Sequence, residues 1–115
     1  MGLNAYVIKK YGCEYGDADF NYLADELYNL LTDNEVDVWT ADEFTNYCDW
    51  EIRCDTDAFK ELIAHLKTLP PDETNEYFAS DRKDREITNG YLVKVFEEWM
   101  RYVDKKDDVI RVHWF

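Results

Sequence analysis

The sequence predicts a single globular domain of the α+β class. Its 115 residues are 46% hydrophobic and 17% aromatic, which is enough apolar material for one packed core. Stretches that alternate apolar and polar residues, as half-buried strands do, are interspersed with stretches that have apolar residues every three to four positions, as amphipathic helices do. No stretch has the composition of a linker, so we expect residues 1–115 to form one domain.

Four segments of the chain are predicted to be β-strands. The first is rich in β-branched and aromatic residues, and the other three alternate apolar with charged or polar residues. In the last segment this alternation puts Ile110, Val112 and Trp114 on one side and Arg111 and His113 on the other. The predicted strands are residues 3–9, 35–39, 49–54 and 108–115.

Helical spacing of apolar residues occurs in three further regions, and a capping box marks a fourth. In the capping box the Thr40 hydroxyl and the Glu43 side chain satisfy each other's backbone N–H groups, which predicts a short helix over residues 41–47. Asn89 is the expected N-cap of the last helix, although Asn89-Gly90 is also the dipeptide of a tight hairpin, which stays open as an alternative. The longer helices are predicted at about residues 20–31, 56–69 and 90–105.

This order of elements suits a ferredoxin-like sandwich. The predicted sheet is four-stranded and mostly antiparallel, with the helices on one face and one inserted helix before the last strand. Strands that are buried on both faces would be continuous apolar runs, so the alternation favours a sheet that is covered on one face. The second and third strands would then pair side by side.

The distribution of charge is the most informative feature of the sequence. The chain contains 26 acidic and 13 basic residues, for a formal net charge of −13. Residues 14–57 hold 14 of the acids and a single base, Arg53, whereas the rest of the chain is neutral. Such a surface repels nucleic acid and anionic lipid, which excludes unassisted binding to DNA or to an acidic membrane.

The fold prediction places several of these carboxylates together. If the second and third strands pair, Glu35 and Asp37 lie beside Asp49 and Glu51, and all of them face away from the helices. Like charges side by side on a sheet cost stability. Either each carboxylate is hydrated and screened, or a basic partner neutralises them. The candidate partner-binding residues are Asp33, Glu35, Asp37, Trp39, Asp42, Glu43, Asp49 and Glu51.

The spacing of these acids suggests that the basic partner is a protein that binds nucleic acid. Carboxylates on one face of a strand are about 6.6 Å apart and paired strands are about 4.8 Å apart, which is on the scale of DNA, with about one charge per 3.4 Å of each strand. In size and charge alone, the chain resembles small phage proteins that inhibit host defence by mimicking DNA. The resemblance implies an inhibitor of a nuclease or a host-defence effector, of the anti-restriction or anti-CRISPR type.

Aromatic residues support a competing interpretation. Trp39, Phe44, Tyr47 and Trp50 are interleaved with the acids, and aromatic anchors beside charged groups are typical of protein–protein hot spots. The chain would then be an immunity or adaptor protein. We expect Phe44 and Trp50 to be core residues, which leaves Trp39 as the exposed anchor.

No sequence pattern points to catalysis or to a cofactor. His65 and His113 have no metal-ligating residue three or four positions further on, and no nucleophile elbow or phosphate-binding glycine loop is present. We therefore expect a non-enzymatic protein without a cofactor or a bound metal. With no apolar run long enough for a membrane span and no signal-peptide pattern, we expect a cytoplasmic protein, and self-repulsion favours a monomer.

Overall fold

The computed structural model describes residues 5–9, 12–17, 20, 23–40, 50–79, 87–103, 106 and 108–114. These residues form strands and helices in the order β1 (Ala5–Lys9), β2 (Gly12–Asp17), α1 (Ala24–Asp33), β3 (Val38–Thr40), β4 (Trp50–Asp55), α2 (Thr56–Leu66), a short 3₁₀ helix (Glu76–Phe78), α3 (Asn89–Tyr102) and β5 (Val109–Trp114). The predicted short helix over residues 41–47 lies outside the described residues.

All strands belong to one antiparallel sheet in the order β2-β1-β5-β4-β3. The predicted α+β class is therefore confirmed: three α-helices pack with an antiparallel sheet in which β1, β5, β4 and β3, the four predicted strands, are neighbours. The ferredoxin-like arrangement with one inserted helix is not confirmed. In a ferredoxin-like sheet, the strands joined by a β-α-β unit run in the same direction and another strand lies between them, whereas β4 and β5, which are connected through α2 and α3, are antiparallel neighbours here.

The strand β2, which extends the sheet beyond β1, was not predicted. Its two glycines, Gly12 and Gly16, resemble turn signals in the sequence. Gly16 instead lies opposite Tyr6 in the ladder, and a Cβ at this position would be 2.8 Å from Cε1 of Tyr6. The glycine thus makes room for the tyrosine ring, which is a known use of glycine inside a strand.

The second predicted strand begins later than expected. The N–H groups of Glu35 and Val36 donate to the carbonyls of Thr32 and Leu31, 3.1 and 3.0 Å away, so the chain is still turning at the end of α1. Glu35 adopts a φ of 63° in this turn. Only Val38–Thr40 then pairs with β4, which moves Glu35 and Asp37 out of the predicted strand.

The helices pack on one face of the sheet around a cluster of aromatic rings. The ring of Trp99 lies 4.9 Å from that of Phe20 and 5.1 Å from that of Phe96, measured between centroids, and Phe59 lies 4.9 Å from Phe96. The predicted apolar stripes are confirmed, since most of their members are buried and the others are partly buried. The buried members include Leu27, Leu30, Leu31, Phe59, Leu62, Ile63, Leu66, Leu92, Val95, Phe96 and Trp99.

The start of α3 settles the choice between a helix and a hairpin. The Thr88 hydroxyl accepts a hydrogen bond of 3.1 Å from the N–H of Tyr91, so Thr88 and not Asn89 is the N-cap. Asn89 is the first helical residue and is buried. Gly90 is part of the helix, and the hairpin alternative is wrong.

No helix in the described part of the chain is long and apolar enough to cross a membrane.

Candidate interaction surface

One end of the sheet has acidic residues in β4, in the first turn of α2 and in the segments that precede β3 and β5. The ladder pairs Val38 with Cys54, so Asp37 and Asp55 come next at the same end of β3 and β4. On the other side of β4, Asp55 pairs with Val109, and the N–H of Thr56 donates to the carbonyl of Asp108 over 2.9 Å. The acidic sheet end, as we call this cluster, consists of Glu35, Asp37, Asp55, Asp57 and Asp108, all of which are exposed.

The described ion pairs of the chain lie elsewhere. They join Arg53 to Glu51, Lys67 to Glu97 and Arg101 to Glu98. Within the described residues, no ion pair involves a member of the acidic sheet end. The exposed Lys60, which lies one turn beyond Asp57, forms none of the described ion pairs either. In the described part of the chain, these carboxylates are therefore screened by water and salt and not by a paired lysine or arginine.

Two members of the cluster, Asp55 and Asp57, lie at the N-terminus of α2. Asp57 lies in the first turn of α2, where a negative charge interacts favourably with the helix dipole. Asp55 is the N-cap residue of the same helix, but its side chain makes no capping hydrogen bond. The position of Asp55 is therefore not explained by capping.

The structure corrects the predicted acidic sheet face at Glu51. Glu51 points away from the core, as the alternation with Ile52 and Cys54 predicts, yet only 3% of the residue is exposed. Nε and Nη2 of Arg53 both donate to Oε2 of Glu51, at 2.9 and 2.7 Å. Arg53 follows Glu51 by two residues and so lies on the same face, where it neutralises the carboxylate. Burial removes Glu51 from the candidate surface.

The described side chains of the sheet face opposite the helices therefore do not form the predicted acidic face. Cross-strand pairing places Trp39 beside Arg53 and Arg53 beside Arg111, and in the adjacent row Glu51 lies beside His113. Trp39 is 50% exposed and is the one large hydrophobic side chain with substantial exposure among the described residues. Its exposure, expected from the alternation, puts an aromatic side chain on the edge strand, near the acidic sheet end.

The remaining predicted site residues divide into two groups. Asp33, Glu35 and Asp37 are exposed between the end of α1 and the start of β3, and Tyr77 forms a hydrogen bond with Asp33. Asp42, Glu43 and Asp49 lie outside the described residues, as do Phe44, Tyr47 and the side chain of Trp50. For these positions partner binding stays a prediction.

Sequence reasoning missed the contributions of Asp55, Asp57 and Asp108 to this surface. Asp55 and Asp57 belong to the acidic window of the sequence, but only the pairing of β4 with both β3 and β5 brings Asp37, Asp55 and Asp108 to one end. Asp108 lies more than fifty positions further along the chain. The signal that could have found it was the acidic residue directly before the last alternating segment.

The described residues offer little for redox, nucleophilic or metal chemistry. Burial, followed by the negative charge of Asp55, raises the pKa of Cys54 to about 12, so its thiol stays protonated and unreactive at neutral pH. No group of three or more His, Cys, Asp and Glu side chains in the described ranges is arranged to hold a metal ion. Comparisons with protein-family models, with curated proteins and with solved structures found no significant match.

Proposed function

We propose that this protein is an acidic binding protein that engages a basic protein surface through the acidic sheet end. Most concretely, it would inhibit a nuclease or another host-defence effector by occupying a groove that otherwise holds nucleic acid. The observation that carries the proposal is the convergence of Glu35, Asp37, Asp55 and Asp108 at one end of the sheet, exposed and without ion pairs in the described part of the chain.

The energetics favour an external partner for these charges. Like charges on neighbouring strands repel each other, and screening in water reduces this cost without removing it. A partner with lysines and arginines would relieve the repulsion and gain favourable contacts. Complementary charge also accelerates association, which suits an inhibitor that has to compete with nucleic acid.

The spacing supports mimicry of nucleic acid in particular. Neighbouring strands are about 4.8 Å apart, so carboxylates at the ends of β3, β4 and β5 repeat on the scale of phosphate charges, about one per 3.4 Å along each strand of DNA. The proposal places the protein in the cytoplasm, where enzymes that act on nucleic acid are found. It requires no catalysis, cofactor or metal from this chain.

A pair of variants with equal net charge tests the proposal. The intact protein is immobilised, a cell lysate is applied at low ionic strength, and bound proteins are eluted with a salt gradient and identified. The captured partner is then titrated with the wild type, with Asp37→Asn/Asp55→Asn and with the matched control Asp25→Asn/Asp72→Asn, which removes two exposed carboxylates elsewhere.

Mimicry predicts that duplex DNA competes with the wild type and that only Asp37→Asn/Asp55→Asn weakens binding, by about tenfold or more for two charge contacts. If both double variants weaken binding equally, net charge alone explains the effect, and the proposal is contradicted. Binding that DNA does not displace would contradict the mimicry.

The exposure of Trp39 favours a second candidate function, that of an immunity or adaptor protein. In this alternative the tryptophan is the anchor and the acids surround it. Trp39→Ala would then cost about 2 kcal/mol or more of binding free energy, and DNA would not compete. Under mimicry the same substitution has little effect.

A further inference from the structure

A groove on the helix side of the molecule continues the acidic surface. Two adjoining depressions, with volumes of about 260 and 290 Å³, share Asn34 and His65 as lining residues. Glu35, a member of the acidic sheet end, lines the second depression. The groove therefore runs from the acidic sheet end to the segment that precedes the 3₁₀ helix.

The wall of the first depression is held in place by buried amides. The side-chain N–H₂ of Asn75 donates to Oδ1 of Asn89 over 2.8 Å, and that of Asn89 donates to the carbonyl of Pro70 over 2.9 Å. The backbone of Asn89 also donates to the carbonyl of Glu73, 2.9 Å away. Both asparagines are almost fully buried. The groove is thus formed before any ligand arrives, which lowers the entropic cost of binding.

The lining combines an apolar floor with carboxylates. Leu69, which is half-buried, and Pro70, which is exposed, contribute apolar surface, whereas Leu30 and Leu66 also line the depression but are almost fully buried. Glu73 and Glu76 line the same depression, and both are exposed. Glu35 and Glu61 line the adjoining depression. Lysine and arginine are absent from the described residues that line either depression.

We infer that this groove receives an arginine side chain of the basic partner. The three methylenes of arginine would pack against Leu69 and Pro70, and its guanidinium would pair with Glu73 and Glu76. Tyr77 also lines the groove and adds an aromatic face, on which a guanidinium stacks better than an ammonium does. The inference rests on the proposed function and names the chemistry of the partner.

The behaviour of Tyr77 is consistent with a negative potential in the groove. Burial raises the pKa of its phenol, and the hydrogen bond to Asp33 and the negative charges of Asp33 and Glu76 raise the pKa further. The fields that disfavour a phenolate here favour a bound cation.

The groove can be tested before the partner is known, with N-acetyl-arginine amide as the probe. The isotope-labelled full chain is titrated at low ionic strength, and the amide resonances are followed by NMR. We expect saturable shifts at Leu66, Leu69 and Tyr77, with weaker binding of N-acetyl-lysine amide and no shifts with the uncharged citrulline derivative. Equal affinity for lysine and arginine, or shifts with citrulline, would overturn the assignment of arginine.

Variants separate the groove from the general charge of the protein. Glu73→Gln/Glu76→Gln should raise the dissociation constant of the arginine probe about threefold to tenfold, in keeping with two partly exposed ion pairs. Asp72→Asn/Asp25→Asn removes the same number of exposed charges from positions that do not line the groove and should leave the constant within about twofold. Equal effects of the two variants would overturn the inference.

The outcome is distinguishable from failure of the proposed function. Arginine shifts confined to Asp37 and Asp55, with none along the groove, would overturn the inference while leaving the acidic sheet end as a binding surface. If the arginine probe binds in the groove but the captured partner binds Asp37→Asn/Asp55→Asn as tightly as the wild type, the inference stands and the proposed function is contradicted.

Discussion

Two carboxylates on the same strand have opposite roles. Glu51, in the middle of β4, is buried and held by Arg53 at 2.7 Å. Asp55, at the end of β4, is exposed, has no ion pair among the described residues and has Asp37 and Asp108 as neighbours. Four positions along one strand therefore separate a carboxylate that stabilises the fold from one that is available to a partner. Acidic composition alone does not reveal which is which.

The largest expected effect at neutral pH is the loss of stability when Glu51 loses its partner. Arg53→Ala leaves a buried carboxylate without the guanidinium, and we expect the free energy of unfolding to fall by about 2–3 kcal/mol. The expected loss is no larger than the cost of breaking a fully buried ion pair, because the Arg53 side chain is 44% exposed. Denaturant titration measures the change.

A surface pair serves as the control for this substitution. Arg101→Ala removes the partner of Glu98, which is partly exposed, and should change the free energy of unfolding by about 0.5 kcal/mol or less. Adding Glu51→Gln to Arg53→Ala should restore part of the loss, since the buried charge is gone. Equal effects of Arg53→Ala and Arg101→Ala would show that Glu51 does not depend on Arg53.

The next effect is a pH dependence at Cys54, which lies between the two carboxylates. Burial and the charge of Asp55 raise the pKa of this thiol from 9.0 to about 12. A raised pKa in the folded state gives stability that is fully present below pH 9 and is lost as the pH rises towards 12. In that window the wild type should lose up to about 1.4 kcal/mol per pH unit more than Cys54→Val.

The comparison is made on the difference between the two unfolding curves, because other groups titrate in the same window. Asp55→Asn removes the second cause of the shift and should reduce this pH dependence slightly. Parallel curves for the wild type and Cys54→Val above pH 9 would contradict the burial of the thiol.

The smallest expected effect is a gain in stability at the acidic sheet end. Asp37→Asn/Asp55→Asn relieves repulsion and should raise the free energy of unfolding by about 0.3–0.5 kcal/mol at low salt. The gain should vanish at about 1 M salt, where the Debye length is about 3 Å. A loss of stability at low salt would mean that these carboxylates are structurally required.

The elements that the sequence predicted well are those with strong periodicity. Amphipathic spacing determines which face of a helix is buried. The buried residues include, as expected, the leucines of α1, the stripe from Phe59 to Leu66 and Phe96 and Trp99 of α3. The alternation in β5 likewise placed Ile110 and Val112 in the core.

The errors came from features that depend on distant parts of the chain. The glycines of β2 resemble a turn until the ring of Tyr6 is placed over Gly16. The sheet order depends on pairing between strands that are distant in the sequence, so the neighbours of β5 could not be predicted from local sequence patterns. The same dependence hid Asp108 from the candidate site and concealed the burial of Glu51.

The central claim is that the acidic sheet end is met by positive charge on a partner. The most direct test is the salt dependence of binding to the captured partner, measured as the slope of log K against log salt concentration. We predict a shallower slope for Asp37→Asn/Asp55→Asn than for the wild type, and an unchanged slope for Asp25→Asn/Asp72→Asn. Identical slopes for all three proteins would contradict the claim.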